Sequence, residues 1–286
     1  MKRRFVVAAG SAAMGTALVL SGCSGTGTES GTTGAVRLSA NQALLQSSQK
    51  TGQADSFKAE LTISDAEGGG KVRANGQFRL RPELTFNARL DEFSHGGQSM
   101  PGLKGQAIYT GDALYAKVPQ LARFVADGKP WLKVDVNQAA RQTGIDVREL
   151  VGQVQKINPA EQTKMFTGSK DARRVGEETV DGVRTTHYTG TVTVQDALSR
   201  LDPQIREKVR ERYPRGASDE KIAFDLWVDG DQLPRKLVSK DAAGRTGGTV
   251  TVVYSDYGRS FSVNPPPADE VGEFSLDALV NGRPRN

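Results

Sequence analysis

Cysteine and histidine are almost missing from this chain: Cys23 is its one cysteine, and His95 and His187 are its two histidines. A single thiol excludes an intrachain disulfide, and if Cys23 carries lipid a thiolate metal site and a Cys nucleophile are excluded too, so the fold must be held by its core. The G-x-S-x-G and H-E-x-x-H signatures of serine hydrolases and zinc peptidases are absent. Asp229-Gly230-Asp231 opens like a calcium loop but lacks the ligands that would follow, so it reads as a β-turn. His187 has the parity opposite to Tyr188, which turns it to solvent, and His95 lies in a Gly-rich stretch. The expectation is a protein that is not an enzyme, with no catalytic residue, metal or cofactor. Charge of one sign is scarce as well. Of the net +5, three positive charges belong to Lys2, Arg3 and Arg4, which leaves +2 on the side chains of a chain starting at Cys23. That is too little to imply nucleic acid.

What is present at the start is an address. Met1 to Arg4 is a short basic segment, and Phe5 to Leu20 is uncharged and rich in Ala, Val, Leu and Gly. That apolar stretch is short for a membrane span and suits the middle of a secretory signal. Leu20-Ser21-Gly22-Cys23 closes it and resembles the bacterial lipobox, which implies a lipid on Cys23 and removal of residues 1–22. Arg3-Arg4 leaves the general and twin-arginine export routes both open. Ser24 to Gly34 is Gly, Ser and Thr with one acid, a composition that cannot bury a core. As a random coil it holds the folded part roughly 20 Å from the anchor. Residues 23–36 are thus read as lipidated Cys and tether.

The remainder is long enough for one sizeable domain or two small ones. Ser39 is an N-cap candidate for a helix running to Lys50. Asp55–Ser64, Lys71–Leu80 and Leu84–Leu90 each alternate apolar and polar, the pattern of an antiparallel meander with one apolar face. Asp91 to Gly102 reads as loop. Gly105–Thr110 and Ala113–Val118 flank a Gly111-Asp112 hairpin turn, and Trp131–Val136 is a further strand. Val147, Leu150, Val151, Val154 and Ile157 have helical spacing, and Asn158-Pro159 ends that helix and starts another reaching Phe166. Strands follow over Ala172–Val180, Thr185–Val194, Lys221–Val228, Pro234–Lys240 and Gly247–Tyr257, with helical segments at Gln195–Tyr213 and Ser275–Val280. About ten strands with interspersed helices predict an α+β fold, one large antiparallel sheet whose apolar face the helices cover.

Three stretches carry a resemblance. They are Val180-Asp181-Gly182-Val183-Arg184-Thr185-Thr186-His187-Tyr188-Thr189-Gly190, then Leu226 to Lys236 (LWVDGDQLPRK), then Val253-Tyr254-Ser255-Asp256-Tyr257-Gly258 ahead of Pro265-Pro266-Pro267. Their order resembles the actinobacterial LppX/LprAFG lipoproteins, which share the fold of the carriers LolA and LolB. The resemblance implies residues 37–286 as a single LolA-like domain: a curved antiparallel half-barrel with helices over its concave face. It also implies an apolar cavity for a lipid or lipoglycan. No short ligand motif comes with the resemblance, so candidate ligand-binding residues are taken from strand parity: Phe57, Leu61, Phe78, Phe86, Tyr188, Phe224 and Leu226, with Leu150, Val151 and Val154 on the central helix. Small neighbours on the same face, Ala59, Ala74, Gly76, Ala88 and Gly190, favour open space, while the same side chains could also close on one another as a packed core. Arg123, Lys129 and Lys133 are basic positions for a lipid headgroup or for solvent.

The function expected is a lipid-anchored protein of the extracytoplasmic membrane face that captures a lipid or similar amphiphile, as a carrier across the envelope. Its partners would be membrane lipid, the ligand and a membrane transporter. The alternative is an envelope interaction or stress-sensing module that regulates a protein partner without transporting lipid.

Overall fold

The first strand illustrates how the sequence builds the sheet. Phe57, Ala59, Leu61 and Ile63 alternate with Lys58, Glu60 and Thr62, so β1 (Ser56–Ser64) has an apolar and a polar face. β2 (Lys71–Arg79) and β3 (Thr85–His95) repeat the pattern beside it, placing Phe57 opposite Phe78 and Phe78 opposite Phe86. The computed structural model describes residues 39–65, 69–100, 103–117, 119, 128–135, 157–210, 216–241 and 248–273.

The remaining strands are β4 (Gln98–Ser99), β5 (Gly105–Thr110), β6 (Ala113–Lys117), β7 (Trp131–Asp135), β8 (Arg173–Val180), β9 (Val183–Thr193), β10 (Lys221–Asp229), β11 (Pro234–Asp241), β12 (Thr249–Ser255) and β13 (Val271–Glu273). They form one open sheet of thirteen strands in the order β13-β7-β6-β5-β3-β2-β1-β12-β11-β10-β9-β8, with β4 hung on β3. Every pairing is antiparallel except β13 with β7. The chain closes the middle of the sheet by pairing β1 with β12, so the meander from the first half and that from the second lie side by side.

Thirteen strands replace the expected ten or so, and β3 is the instructive difference. It continues through Asp91–His95, a stretch that alternation alone assigns to loop. The ladder pairs Ala74 with Leu90 but Arg73 with Glu92, so Asp91 is an inserted bulge residue. Past the bulge the parity reverses, and Phe93 returns to the apolar face opposite Val72. β13 and β4 are two or three residues long, too short for any period to show.

Tight turns follow the hairpin chemistry expected of Gly and Asp. Gly111 and Asp112, and Asp181 and Gly182, all take positive φ, the twist that joins two strands by a two-residue loop. The helices are α1 (Ala40–Gly52), α2 (Pro159–Phe166), α3 (Val194–Arg200) and α4 (Pro203–Arg210). The Ser39 hydroxyl accepts from the Gln42 amide while the Gln42 side chain accepts from the Ser39 amide, a complete capping box. Asn158 caps α2, whose first residue is Pro159, and Thr193 caps α3. The central helix expected over 146–157 and the tail helix at 275–280 lie outside the described residues, apart from Ile157.

One core joins helices and sheet. Ala43 and Leu44 of α1, Met165 and Phe166 of α2, and Ala197 and Leu198 of α3 cluster with Phe57, Phe78, Tyr188, Phe224, Leu226, Leu237, Val252 and Tyr254 of the strands. The Phe166 ring stacks on Phe224 with centroids 4.5 Å apart. α1 and α2 are tied by Ser48, whose hydroxyl donates to the Ala160 carbonyl. The Tyr254 hydroxyl donates to the Ile157 carbonyl, and complete burial raises its pKa far above the usual tyrosine range.

Candidate functional site

On the helix-packed face, directly opposed residues make rows across the strands. One row runs Phe57, Phe78, Phe86, Tyr109, Leu114, Val134 from β1 to β7. Its rings pack face to face or tilted, 5.1 Å between Phe57 and Phe78 and 5.7 Å between Phe86 and Tyr109. The next row is small: Ala59, Gly76, Ala88, Ala107 and Ala116. A third holds Leu61, Ala74 and Leu90, and a fourth Ile63, Val72 and Phe93.

Burial falls along these rows. Phe57, Phe78 and Phe86 are 1%, 3% and 5% exposed. Ala74, Ala88, Leu90, Ala107, Leu61, Ile63, Val72 and Phe93 are only half-buried. The apolar face therefore opens from the end of the sheet that holds the β5–β6 turn toward the end that holds the β3–β4 turn.

The sequence-derived candidates separate accordingly. Phe57, Phe78, Phe86, Tyr188, Phe224 and Leu226 are all buried in the one core, and Leu61 is half-buried against it. Burial also raises the Tyr188 hydroxyl's pKa. Leu150, Val151 and Val154 lie outside the described residues, as does Arg123. Lys129 donates to the Asp269 carbonyl, and Lys133 shares the outer parity of Trp131 on β7.

Two of the small residues do not leave open space, contrary to the expectation. A Cβ on Gly76 would lie 2.7 Å from the Phe78 ring, and one on Gly190 would lie 2.9 Å from both the Phe224 ring and the Ser169 hydroxyl. In each case an aromatic ring folds back over the glycine and fills the room that the missing side chain leaves. Ala88, Ala107 and Ala116 on the same face stay half-buried.

Alternation alone places Leu90 on this face but does not reach Phe93. The signal for Phe93 was in the string Leu90-Asp91-Glu92-Phe93: strict alternation would turn charged Glu92 into the core, and an inserted residue avoids that.

The outer face carries the polar groups. His187 is packed, not solvated: its side chain is 12% exposed, stacked on Trp227 with centroids 4.2 Å apart. Its Nδ1 lies 2.8 Å from a Glu178 oxygen and its Nε2 2.9 Å from an Asp225 oxygen. Trp227 Nε1 donates to the other Glu178 oxygen, and that bond leads the causes that lower the Glu178 pKa. Both ring nitrogens and the carboxylates are thus used in mutual contacts, and a nucleophile is not among these partners. Asp229 accepts from the amides of Asp231 and Leu233 and pairs with Arg235, which makes it the organiser of the β10–β11 turn. Among the described residues no group of three His, Cys, Asp or Glu side chains gathers to hold a metal ion. None of the described helices is long and apolar enough to cross a membrane.

No protein-family model matches the chain. It is 31% identical over 252 residues to an uncharacterized 31.2 kDa protein encoded between rplA and rplJ in Streptomyces griseus, covering 81% of this chain and 78% of that protein. It is 30% identical over 104 residues to the lipoarabinomannan carrier protein LprG of Mycolicibacterium hassiacum, covering 36% of this chain and 39% of that protein. Among solved structures it is similar to LprF from Mycobacterium bovis, with 15% identity, a TM-score of 0.49, and coverage of 79% of this chain and 96% of that one. The chain belongs to one family with the Streptomyces griseus protein, and its hairpin motifs are similar to those of the actinobacterial LppX/LprAFG lipoproteins.

Proposed function

We propose that the chain is anchored by lipid on Cys23 at the extracytoplasmic face of the cell membrane, with residues 24–36 as tether. Residues 37–286 then form a single LolA-like body, a curved half-barrel that captures a lipid or similar amphiphile and carries it within the envelope. The observation that carries this reading is the half-buried apolar surface of Leu61, Ala74, Ala88, Leu90 and Ala107, a broad floor of aliphatic carbon with few polar groups. Apolar sites need few polar contacts, and each buried methylene contributes roughly 0.8 kcal/mol, so one acyl chain supplies ample binding. The aromatic row Phe57, Phe78 and Phe86 forms the firm wall behind that floor. Leu150, Val151 and Val154 remain proposed ligand-binding residues and lie outside the described residues.

Capture here is an equilibrium and makes no covalent bond. A membrane transporter or a second lipoprotein would receive the cargo. Native mass spectrometry of protein carrying Cys23→Ser tests the reading. Co-purified, extractable lipid is the expected result. Bare protein that also fails to bind added phospholipid or lipoglycan would sink it.

A further inference from the structure

Four large apolar side chains stand exposed among the described residues, and two of them, Met100 at 41% and Leu103 at 43%, sit together at one end of the sheet. Their position follows from the β3–β4 hairpin. Gly96 and Gly97 take positive φ and reverse the chain, Ser94 pairs with Ser99, and the Met100 amide donates to the Phe93 carbonyl at 2.8 Å. Met100 therefore faces Phe93 across the ladder, and opposed residues share a face. The half-buried row Ile63, Val72, Phe93 thus runs on to an exposed Met100. The Leu103 amide donates to the Met100 carbonyl at 3.0 Å, which keeps the second side chain at the same tip.

Charge points the same way. From Phe93 to Thr110 the sequence contains no Asp or Glu, and exposed Lys104 follows Leu103. The exposed aliphatic side chains and the lysine of this hairpin suit the headgroup layer of a bilayer, where anionic phosphates meet the cation and the aliphatic groups reach the acyl boundary, while Asp65 lies on the adjoining β1–β2 turn.

We propose that Met100, Leu103 and Lys104 form a tip that dips into the bilayer surface, and that an amphiphile passes along Met100, Phe93 and Val72 onto the apolar floor. This rests on the reading of a membrane-tethered amphiphile carrier and names where that carrier meets its lipid source.

The test uses the full chain with Cys23→Ser, so that one introduced cysteine carries an environment-sensitive fluorophore. Leu103→Cys places it at the tip, and Glu83→Cys places it at the opposite end of the sheet, where residue 83 is also exposed. In vesicles of phosphatidylglycerol and phosphatidylethanolamine, doxyl-labelled lipid should quench the tip probe about threefold more than the Glu83 probe, and Met100→Ser should reduce that quenching by about half. Equal quenching at both positions, or none at the tip, overturns the docking tip. Lipid extraction from the same protein separates the two ideas. Bound lipid with an unquenched tip removes only the tip, and a quenched tip on lipid-free protein keeps the tip and removes the carrier.

Discussion

The two sides of the sheet present the same face to the interior and treat it differently. On β9–β12, Tyr188, Val192, Ile222, Phe224, Leu226, Leu237, Val252 and Tyr254 are all at most 8% exposed and cluster with α1, α2 and α3. On β2–β7, Gly76, Phe78, Phe86 and Leu114 of that face are buried, and Ala74, Ala88, Leu90, Ala107, Leu132 and Val134 are only half-buried. On the first side large residues fill the face and the Phe224 ring folds over Gly190; on the second the Phe78 ring covers Gly76, and the alanines beyond it stay half-buried. Stability is therefore concentrated on one side, and spare apolar surface on the other.

The sharpest way to break this contrast is Phe224→Ala. It removes the ring stacked on Phe166 and uncovers Gly190, and should lower unfolding stability in urea by about 3–5 kcal/mol. Leu90→Ala on the other side should cost well under half as much. Comparable losses at both positions would erase the distinction.

Gly190→Ala attacks the same packing from below. The added methyl would press on the Phe224 ring and the Ser169 hydroxyl, for a loss of about 1–3 kcal/mol by the same measurement. A smaller effect would mean that the ring swings away without cost.

Ala107→Leu fills the proposed floor where it is half-buried. It should change stability by less than about 1 kcal/mol yet weaken binding of a fluorescent fatty acid about tenfold, because added volume displaces the ligand and not a packed neighbour. Unchanged fatty-acid affinity would place the ligand elsewhere.

The smallest effect is expected from Asp171, which ties the start of β8 to β9. Its carboxylate accepts from the Thr191 amide at 2.7 Å, from the Thr191 hydroxyl and from the Ser169 hydroxyl. The Thr191 amide bond is the main cause of its lowered pKa. A carboxyl with a depressed folded pKa stabilises above its unfolded value and loses that contribution as pH falls through the folded value. The protein should thus lose stability below the ordinary aspartate range of about 3.9, and Asp171→Asn should flatten that part of a melting-temperature profile. An unchanged profile would show that the bond does not discriminate between the two protonation states.

Much of the fold was legible because its physics is local. The alternation of β1, β2 and β10, the turns at Gly111-Asp112 and Asp181-Gly182, the Ser39 cap and the Asn158-Pro159 helix start all express short-range preferences. The extension of β3 was hidden by a bulge, since one extra residue reverses the parity of everything after it. His187 was placed on the correct face, yet its neighbours Glu178, Asp225 and Trp227 come from two other strands. No local pattern announces that a side chain on the outer face will be sandwiched there.

By itself the sequence determined that a lone cysteine excludes an intrachain disulfide, where a lipobox-like string lies and which strand residues share a face, because composition, a short motif and a period of two are one-dimensional properties. Only the tertiary structure decided which inward residues are sealed and which stay open. That outcome depends on which strands become neighbours: the β1–β12 pairing joins two meanders, and the helices pack on β9–β12, so residues of the same inward parity are sealed there and half-buried elsewhere.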